Sequence, residues 1–179
     1  NNFTPDEKIL KKYALEKGKY VIFRLSALKA HHDVGAKGIS TELKKQMTKM
    51  LNGYEIIESF EGKKGNKIEI WDMHHILAFS KMIISDSQTM TIEAAVLGIP
   101  SMRINTFIGK STVIEELEDK YKLCYGILPS NESLIMKTLK ELITNETLEE
   151  DWRKKREILL QDKIDFNQWM IEYFESEIE

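Results

Sequence analysis

The stretch SDSQTMTIEAAVLGIP, which runs from Ser85 to Pro100, decides the fold prediction. The apolar residues KMII precede it and predict a buried strand, whereas its Ala-rich second half predicts a helix. Small polar side chains fill the junction between the two. Because the first N–H groups of a helix are unpaired and carry partial positive charge, two interpretations stay open for this junction: helix capping and an anion-binding site.

Predicted strands and helices alternate along the chain on both sides of this stretch. The strands are predicted at KYVIFRL (19–25), YEIIESF (54–60), KIEI (67–70), MIIS (82–85), SMRI (101–104) and KLCYGI (122–127). The helices are predicted at 4–17, at 40–51, at 71–81, within the stretch quoted above, at 111–121 and from 131 to the end. This order favours an α/β fold, a Rossmann-like parallel sheet with helices on both faces, followed by C-terminal helices. Ligands of such sheets bind beyond the carboxyl ends of the strands.

Composition limits the classes of function. The chain has 179 residues, a formal net charge of -3 and 42% hydrophobic residues, which suit one domain with appended helices and not a nucleic-acid-binding protein with a basic face. Cys124 is the single cysteine, so we expect a reducing compartment and a cytoplasmic location. We find no signal peptide and no apolar run that would span a membrane. Because the first residue is Asn1 and not Met, we expect a piece of a longer protein.

The polar junction holds more hydroxyl groups than a cap requires. Ser85, Asp86, Ser87 and Thr89 cluster there, whereas one capping residue, worth about 1 kcal/mol, is enough to begin a helix. The surplus favours a phosphate or a sugar at the helix entrance, although Asp86 would repel phosphate unless it points away. Glu93, about one turn into the helix, either accepts hydrogen bonds from ribose hydroxyls or simply places a negative charge near the positive helix end.

A second polar loop, KAHHDVGAKG (29–38), follows the first predicted strand. Its candidate ligand-binding groups are Lys29, Asp33 and Lys37, and its candidate catalytic groups are His31 and His32. Lysine and protonated histidine would neutralise a diphosphate held by the neighbouring loop. A metal site needs spaced ligands and a fourth partner, so we predict no metal here.

A third polar segment, RINTFIGKST (103–112), follows the fifth predicted strand and is expected to face the same cleft. Its candidate substrate-binding residues are Arg103, Asn105 and Lys110. Phe107 either stacks on a base or covers the core. Gly-Lys-Ser within the segment lacks the upstream glycine of a P-loop, so that interpretation is rejected.

Three further polar side chains leave alternatives open. Arg24, near the end of its predicted strand, is either structural or reaches the loop that follows. His74 and His75 are adjacent on a predicted helix, so their side chains point about 100° apart. We therefore expect one of the two to lie at the surface and the other to be partly packed.

The junction stretch resembles the Ser-Asp-Ser-Gly-Gly-x-x-x-Glu-Ala…Leu-Gly-x-Pro stretch of the non-hydrolysing UDP-N-acetylglucosamine 2-epimerases. It is more similar to a family of predicted glycosyltransferase-like proteins of unknown function, whose motifs read GDSQTM…EAAVLG-P and KA-HD-G-KG. The likeness covers Tyr20 to Ile127, in the order of the C-terminal half of a GT-B protein.

The resemblance implies a GT-B fold, with two Rossmann-like halves and a nucleotide-sugar in the cleft between them. In the epimerases, the serine matching Ser87 and the glutamate matching Glu93 contact UDP. Gln88 and Thr89, which we also count as candidate substrate-binding residues, stand where the epimerases have two glycines. Their side chains block the closest backbone approach to a pyrophosphate, so the substrate or its pose is expected to differ.

These inferences predict a Rossmann-like nucleotide-sugar-binding domain at 1–130. The helices at 131–179 would pack on it or cross to a missing N-terminal half, with Trp152, Phe166, Trp169 and Phe174 as packing anchors. The function expected is the UDP-sugar-binding half of a glycosyltransferase- or epimerase-like protein of surface-polysaccharide synthesis, without another cofactor and inactive alone. The alternative is a non-catalytic binding or regulatory module. A dehydrogenase is disfavoured because no Gly-x-Gly-x-x-Gly follows a strand.

Overall fold

The computed structural model describes residues 3–26, 38–61 and 67–176. These residues form a parallel sheet of five strands in the order β2-β1-β3-β4-β5. The strands are β1 (Tyr20–Leu25), β2 (Glu55–Phe60), β3 (Met82–Ser85), β4 (Ser101–Ile104) and β5 (Cys124–Ile127). The chain moves from β1 outward to β2 and then returns past β1 to β3. The strand order therefore reverses between β1 and β3, which is the position at which open α/β sheets bind ligands.

Helices connect the strands and extend beyond the sheet. They are α1 (Ile9–Lys12), α2 (Thr41–Met50), α3 (Met73–Ala78), α4 (Gln88–Leu97), α5 (Thr112–Asp119), α6 (Glu132–Thr144), α7 (Leu148–Asp162) and α8 (Phe166–Ser176). Ser40 caps α2 by accepting a hydrogen bond from the N–H of Leu43 at 3.1 Å, as its position before an amphipathic segment predicts. None of the described helices is both long and apolar enough to span a bilayer.

The sheet separates two hydrophobic clusters, because successive side chains of a strand point to opposite faces. Val21 and Phe23 of β1 belong to a cluster that includes residues of α2, α6 and α7. Tyr20 and Ile22 of β1 belong to the other cluster, with residues of α3 and α4. Helices thus cover both faces, and the predicted α/β class with C-terminal helices is confirmed.

The predicted strand KIEI (67–70) is wrong. Ile68 is buried, but Ile70 is 80% exposed and begins a short 3-10 helix, Ile70–Asp72. The two isoleucines that suggested one apolar strand face therefore lie in different environments. Lys12 and the Tyr13 hydroxyl both donate hydrogen bonds to the Asp72 carboxylate, which attaches this segment to α1 instead of to the sheet.

The predicted first helix is much shorter than 4–17. It covers only Ile9–Lys12, and Ala14 adopts a positive φ of 55° directly after it. The left-handed residue turns the chain back on the helix end, so the N–H groups of Ala14 and Leu15 donate to the carbonyls of Lys11 and Leu10 and close the helix. The Asp6 side chain accepts a hydrogen bond from the N–H of Lys8, so the first turn forms later than the Thr-Pro-Asp-Glu pattern predicts.

The C-terminal packing anchors are predicted correctly only in part. Trp152 is 2% exposed and lies in the core, as expected. Phe166, Trp169 and Phe174 of α8 are exposed, so they do not anchor α8 on the described residues, and the alternative that this segment crosses to a missing N-terminal half stays a prediction. Aromatic content alone does not establish burial, and α8 stacks Trp169 on Phe166 and on Tyr173 without adding a buried residue of its own.

Candidate functional site

The candidate site begins where β3 ends and α4 starts. The Ser87 hydroxyl caps α4 by accepting a hydrogen bond from the N–H of Met90, at a long 3.5 Å. The Ser85 hydroxyl accepts a 2.8 Å hydrogen bond from the N–H of Ser87 and donates at 2.9 Å to the carbonyl of Arg24. The two serines thus have different roles: Ser85 connects β3 to β1, and Ser87 begins the helix. The first N–H groups of α4 point toward the carboxyl edge of the sheet, where they have no partner within the helix.

The Asp86 carboxylate is held at the carboxyl end of β1. Its Oδ1 accepts a 2.6 Å hydrogen bond from the N–H of Ser26, and its side chain packs against Gly38. Asp86 is buried, and burial raises the pKa of this carboxyl above its usual value. One side chain therefore contacts both residues 26 and 38, which precede and end the polar loop KAHHDVGAKG (29–38).

Five predicted site residues lie outside the described residues. They are Lys29, His31, His32, Asp33 and Lys37. Their assigned roles in substrate binding and catalysis stay predictions. Within the ranges that the structure describes, no three His, Cys, Asp or Glu side chains converge in a way that would hold a metal ion.

Gly38→Ala is expected to lower the free energy of unfolding by about 1–3 kcal/mol, the usual cost of overpacking. An added methyl carbon would overlap Oδ2 of Asp86 and lie 2.9 Å from its Cβ. Urea denaturation measures the loss. In an Asp86→Ala background the same glycine substitution should cost clearly less, because the obstructing carboxylate is gone. Equal losses in both backgrounds would contradict the contact between Gly38 and Asp86.

Two predicted ligand-binding amides connect the loops around the site. Buried Asn105 donates from Nδ2 to the carbonyl of Asp86 at 2.9 Å and accepts from the N–H of Phe107 at 2.9 Å. Gln88 donates from Nε2 to the hydroxyl of Ser111 at 2.8 Å. The loop after β4 is thereby connected to the loop after β3, and the start of α4 to the start of α5. The side-chain amides of Asn105 and Gln88 therefore fix how these loops and helix starts lie at the carboxyl edge of the sheet.

Thr89 and Lys110 remain exposed at this edge of the protein. Thr89 is on the first turn of α4, and Lys110 lies in the segment between β4 and α5. The Lys110 ammonium is 6.0 Å from the centre of the Phe107 ring, and Phe107 is half-buried. These two side chains have room to contact a ligand.

Arg103 lies in the interior, with 0% of its side chain exposed. Its Nε and Nη2 donate to Oε1 of Glu118 at 3.1 and 2.8 Å. The carboxylate neutralises the buried guanidinium, so this arginine is held within the fold and does not line an open surface. Its position assigns it a structural role beneath the site.

Glu93 is half-buried on the side of α4 that approaches α3. Its Oε2 is buried, lies 3.2 Å from Nε2 of His74 and has no hydrogen bond within the described chain. His74 is exposed, whereas His75 is half-buried and its Nδ1 accepts a 2.9 Å hydrogen bond from the N–H of Asp6. The predicted division into one surface histidine and one partly packed histidine is therefore correct.

Arg24 is a candidate that the sequence left undecided between two roles. It ends β1 beside the reversal of strand order, and its Nη1 donates to the Ser59 hydroxyl at 2.7 Å. Its Nε is buried without a hydrogen-bond partner. A charged residue at the end of an apolar strand is the signal in the sequence that points to it.

Comparisons with known proteins identify the fold. No family model matches the chain, and no curated protein matches it. Among solved structures it is similar to the UDP-GlcNAc 2-epimerase from Neisseria meningitidis bound to UDP-GlcNAc, at 14% identity and a TM-score of 0.55, over 87% of this chain and 48% of that one. A putative UDP-N-acetylglucosamine 2-epimerase from Listeria monocytogenes gives 12% identity and a TM-score of 0.53, over 85% and 42%. A calicheamicin glycosyltransferase gives 14% and 0.50, over 80% and 38%.

The chain has the GT-B type of Rossmann-like fold. The fold class predicted from the sequence is thereby confirmed, and so is the likeness to glycosyltransferases and 2-epimerases at the level of fold. The chain spans less than half the length of each of these three proteins. Identities of 12–14% are evidence for the fold and not for a shared activity.

Proposed function

We propose that this chain is the nucleotide-sugar-binding half of a glycosyltransferase- or epimerase-like protein, and that its ligand is a UDP-sugar. The observation that carries the proposal is the start of α4, which opens at the reversal of strand order, while the Asp86 carboxylate is held by the N–H of Ser26. A helix N-terminus attracts phosphate, and a carboxylate pointing into it would cancel that attraction. Because the Asp86 carboxylate is bound to Ser26 and packs against Gly38, its engagement there lessens the objection to an anion at this position.

The groups around the start of α4 suit the parts of a nucleotide-sugar. Ser87 and the exposed Thr89 offer hydroxyls beside the helix N–H groups, where a diphosphate would bind. The buried Oε2 of Glu93 lies 3.2 Å from Nε2 of His74 and makes no hydrogen bond within the described chain, so it would accept one from a ribose hydroxyl. Similarity to an epimerase bound to UDP-GlcNAc supports uracil and N-acetylglucosamine as the first base and sugar to test.

In this proposal the chain contributes to chemistry by stabilising the departing diphosphate. Fixed N–H groups and the positive helix end would neutralise charge that develops on the leaving group. The acceptor, and a facing half to bind it, would lie outside this chain, and surface-polysaccharide synthesis is the process we propose for the complete protein. His31 and His32 are the proposed acid or base. The chain alone is expected to bind the nucleotide-sugar without turning it over.

UDP and UDP-GlcNAc are expected to shift the amide NMR signals of Ser87, Thr89 and Glu93. Ser87→Ala and Glu93→Gln should each raise the dissociation constant about tenfold to a hundredfold, because a hydrogen bond to a charged or tightly held group is worth about 1.5–3 kcal/mol. Ser87→Ala should cost at most about 1 kcal/mol of stability, since its capping hydrogen bond is already long at 3.5 Å. Calorimetric titrations and thermal melts on the same samples measure both quantities.

Two matched substitutions separate binding from stability. Ser40→Ala removes the capping hydroxyl of α2, and Glu141→Gln neutralises an exposed glutamate of α6. Both should leave the affinity unchanged. If a millimolar panel of nucleotides and nucleotide-sugars shifts none of the three amides, the proposed function is wrong. If Ser87→Ala and Glu93→Gln lower the melting temperature strongly while the folded fraction binds normally, the polar junction is only structural.

A further inference from the structure

Arg24 carries a positive charge that no described carboxylate neutralises. Within the described residues, its guanidinium makes a single hydrogen bond, from Nη1 to the buried hydroxyl of Ser59 at 2.7 Å. Its Nε is enclosed and has no partner, and no carboxylate of the described chain forms an ion pair with it. Taking a charged group partly out of water is costly unless a counter-charge compensates it.

Two other cations near the sheet differ from Arg24 in this respect. Arg103, which is fully buried, is paired with Glu118 at 2.8 Å. Lys44, on α2, is paired with Glu58 of β2 at 2.8 Å. Ser59 satisfies only one nitrogen of Arg24 and supplies no negative charge. Of these three cations, Arg24 is the one without a carboxylate partner among the described residues.

The backbone of Arg24 pairs with the strand that leads into α4, while its guanidinium is bound to Ser59 of β2, on the opposite side of β1. Arg24 is in register with Ser59 on one neighbouring strand and with Ser85 on the other, so the three side chains share one face of the sheet. Ile22, two residues earlier on β1, packs in the same cluster as Met90 of α4. Arg24 consequently lies on the face that α4 covers, at the carboxyl edge and beside the reversal of strand order.

We propose that Arg24 binds the phosphate-bearing part of the ligand and supplies the counter-charge for its diphosphate. This inference rests on the proposed function for the identity of the ligand. Ser59 holds Nη1, which leaves the edge formed by Nε and Nη2 for two oxygens of one phosphate, the bidentate geometry that arginine favours. Because Nε is enclosed in this conformation, neighbouring side chains have to move when the phosphate engages both nitrogens.

The test compares ligands that differ in phosphate content. UDP, uridine and inorganic pyrophosphate are titrated at low salt into the parent chain, Arg24→Gln and Arg24→Lys, with binding followed by NMR and calorimetry. Arg24→Gln should raise the dissociation constant for UDP and for pyrophosphate about tenfold to a hundredfold and leave uridine unchanged. Arg24→Lys keeps the positive charge and the fold but cannot bind two oxygens of one phosphate at once, so its loss of affinity should be smaller. Arg153→Gln, an exposed arginine of α7 paired with Glu157, is the matched control and should bind like the parent.

The outcomes separate this inference from the proposed function. If UDP binds the parent and both Arg24 variants equally, Arg24 only holds the Ser59 hydroxyl in place. The inference is then wrong, while the proposed function stands. If pyrophosphate binds the parent as tightly as UDP does and no longer binds the Arg24 variants, Arg24 is an anion ligand and the proposed function is wrong. If the parent binds none of the phosphates, both are overturned.

Discussion

Replacing Glu118 by alanine is expected to lower the free energy of unfolding by about 3–5 kcal/mol, because it leaves a buried arginine without its counter-charge. Arg103 is fully buried, and both its Nε and its Nη2 donate to Oε1 of Glu118. Its Nη1 already lacks a hydrogen-bond partner in the described chain. Removing the carboxylate would therefore leave the whole guanidinium unpaired inside the protein. Urea denaturation followed by circular dichroism measures the loss.

Two controls distinguish charge compensation from general damage to α5. Glu116→Ala removes a carboxylate from the same helix, but Glu116 is partly exposed and pairs with Lys163, so this change should have little effect. Replacing the pair together, as Arg103→Met with Glu118→Leu, should recover most of the stability, because no uncompensated charge remains. A double variant as unstable as Glu118→Ala alone would contradict this account.

Trp152→Ala is the second change with a large expected effect, again about 3–5 kcal/mol. Trp152 is almost fully buried, and its Nε1 donates a 2.7 Å hydrogen bond to the carbonyl of Leu123, just before β5. The substitution creates a cavity and leaves that carbonyl unpaired. It should loosen α7 from the sheet and lower the midpoint of thermal unfolding, which calorimetry records.

Trp169→Ala is the matched control for this prediction. Trp169 is 47% exposed on α8, so its removal should change the free energy of unfolding by no more than about 0.5 kcal/mol. Trp152→Phe keeps an aromatic ring but removes the hydrogen bond to Leu123, and an intermediate loss is expected. If the two tryptophan-to-alanine variants have equal stability, α8 contributes to the core as much as α7 does, which the packing contradicts.

Local patterns in the sequence predict most of the sheet. Five short segments rich in apolar residues, bounded by polar or glycine-containing segments, correspond to β1 through β5, because the strands of a parallel sheet covered on both faces are mostly apolar. The predictions that the structure does not confirm rest on weak sequence patterns. KIEI has only two apolar residues, and one of them is exposed. The aromatic residues of α8 suggest burial, but whether a surface exists to cover them is a property of the fold and not of the helix.

The sequence by itself determined where α4 starts and that one of the four polar residues of the junction caps it, because a cap and the helix it begins are neighbours in the chain, and the structure identifies Ser87 as that cap. Tertiary structure alone decided what the remaining polar groups do. Asp86 meets Ser26 across 60 residues, Asn105 meets the carbonyl of Asp86 across 19, and Arg24 meets Ser59 across 35. Parallel strands bring these residues to one edge of the sheet because each crossover returns the chain to the same end. Which charged group at that edge has a partner among the described residues, and which has none, therefore depends on contacts that no local pattern contains.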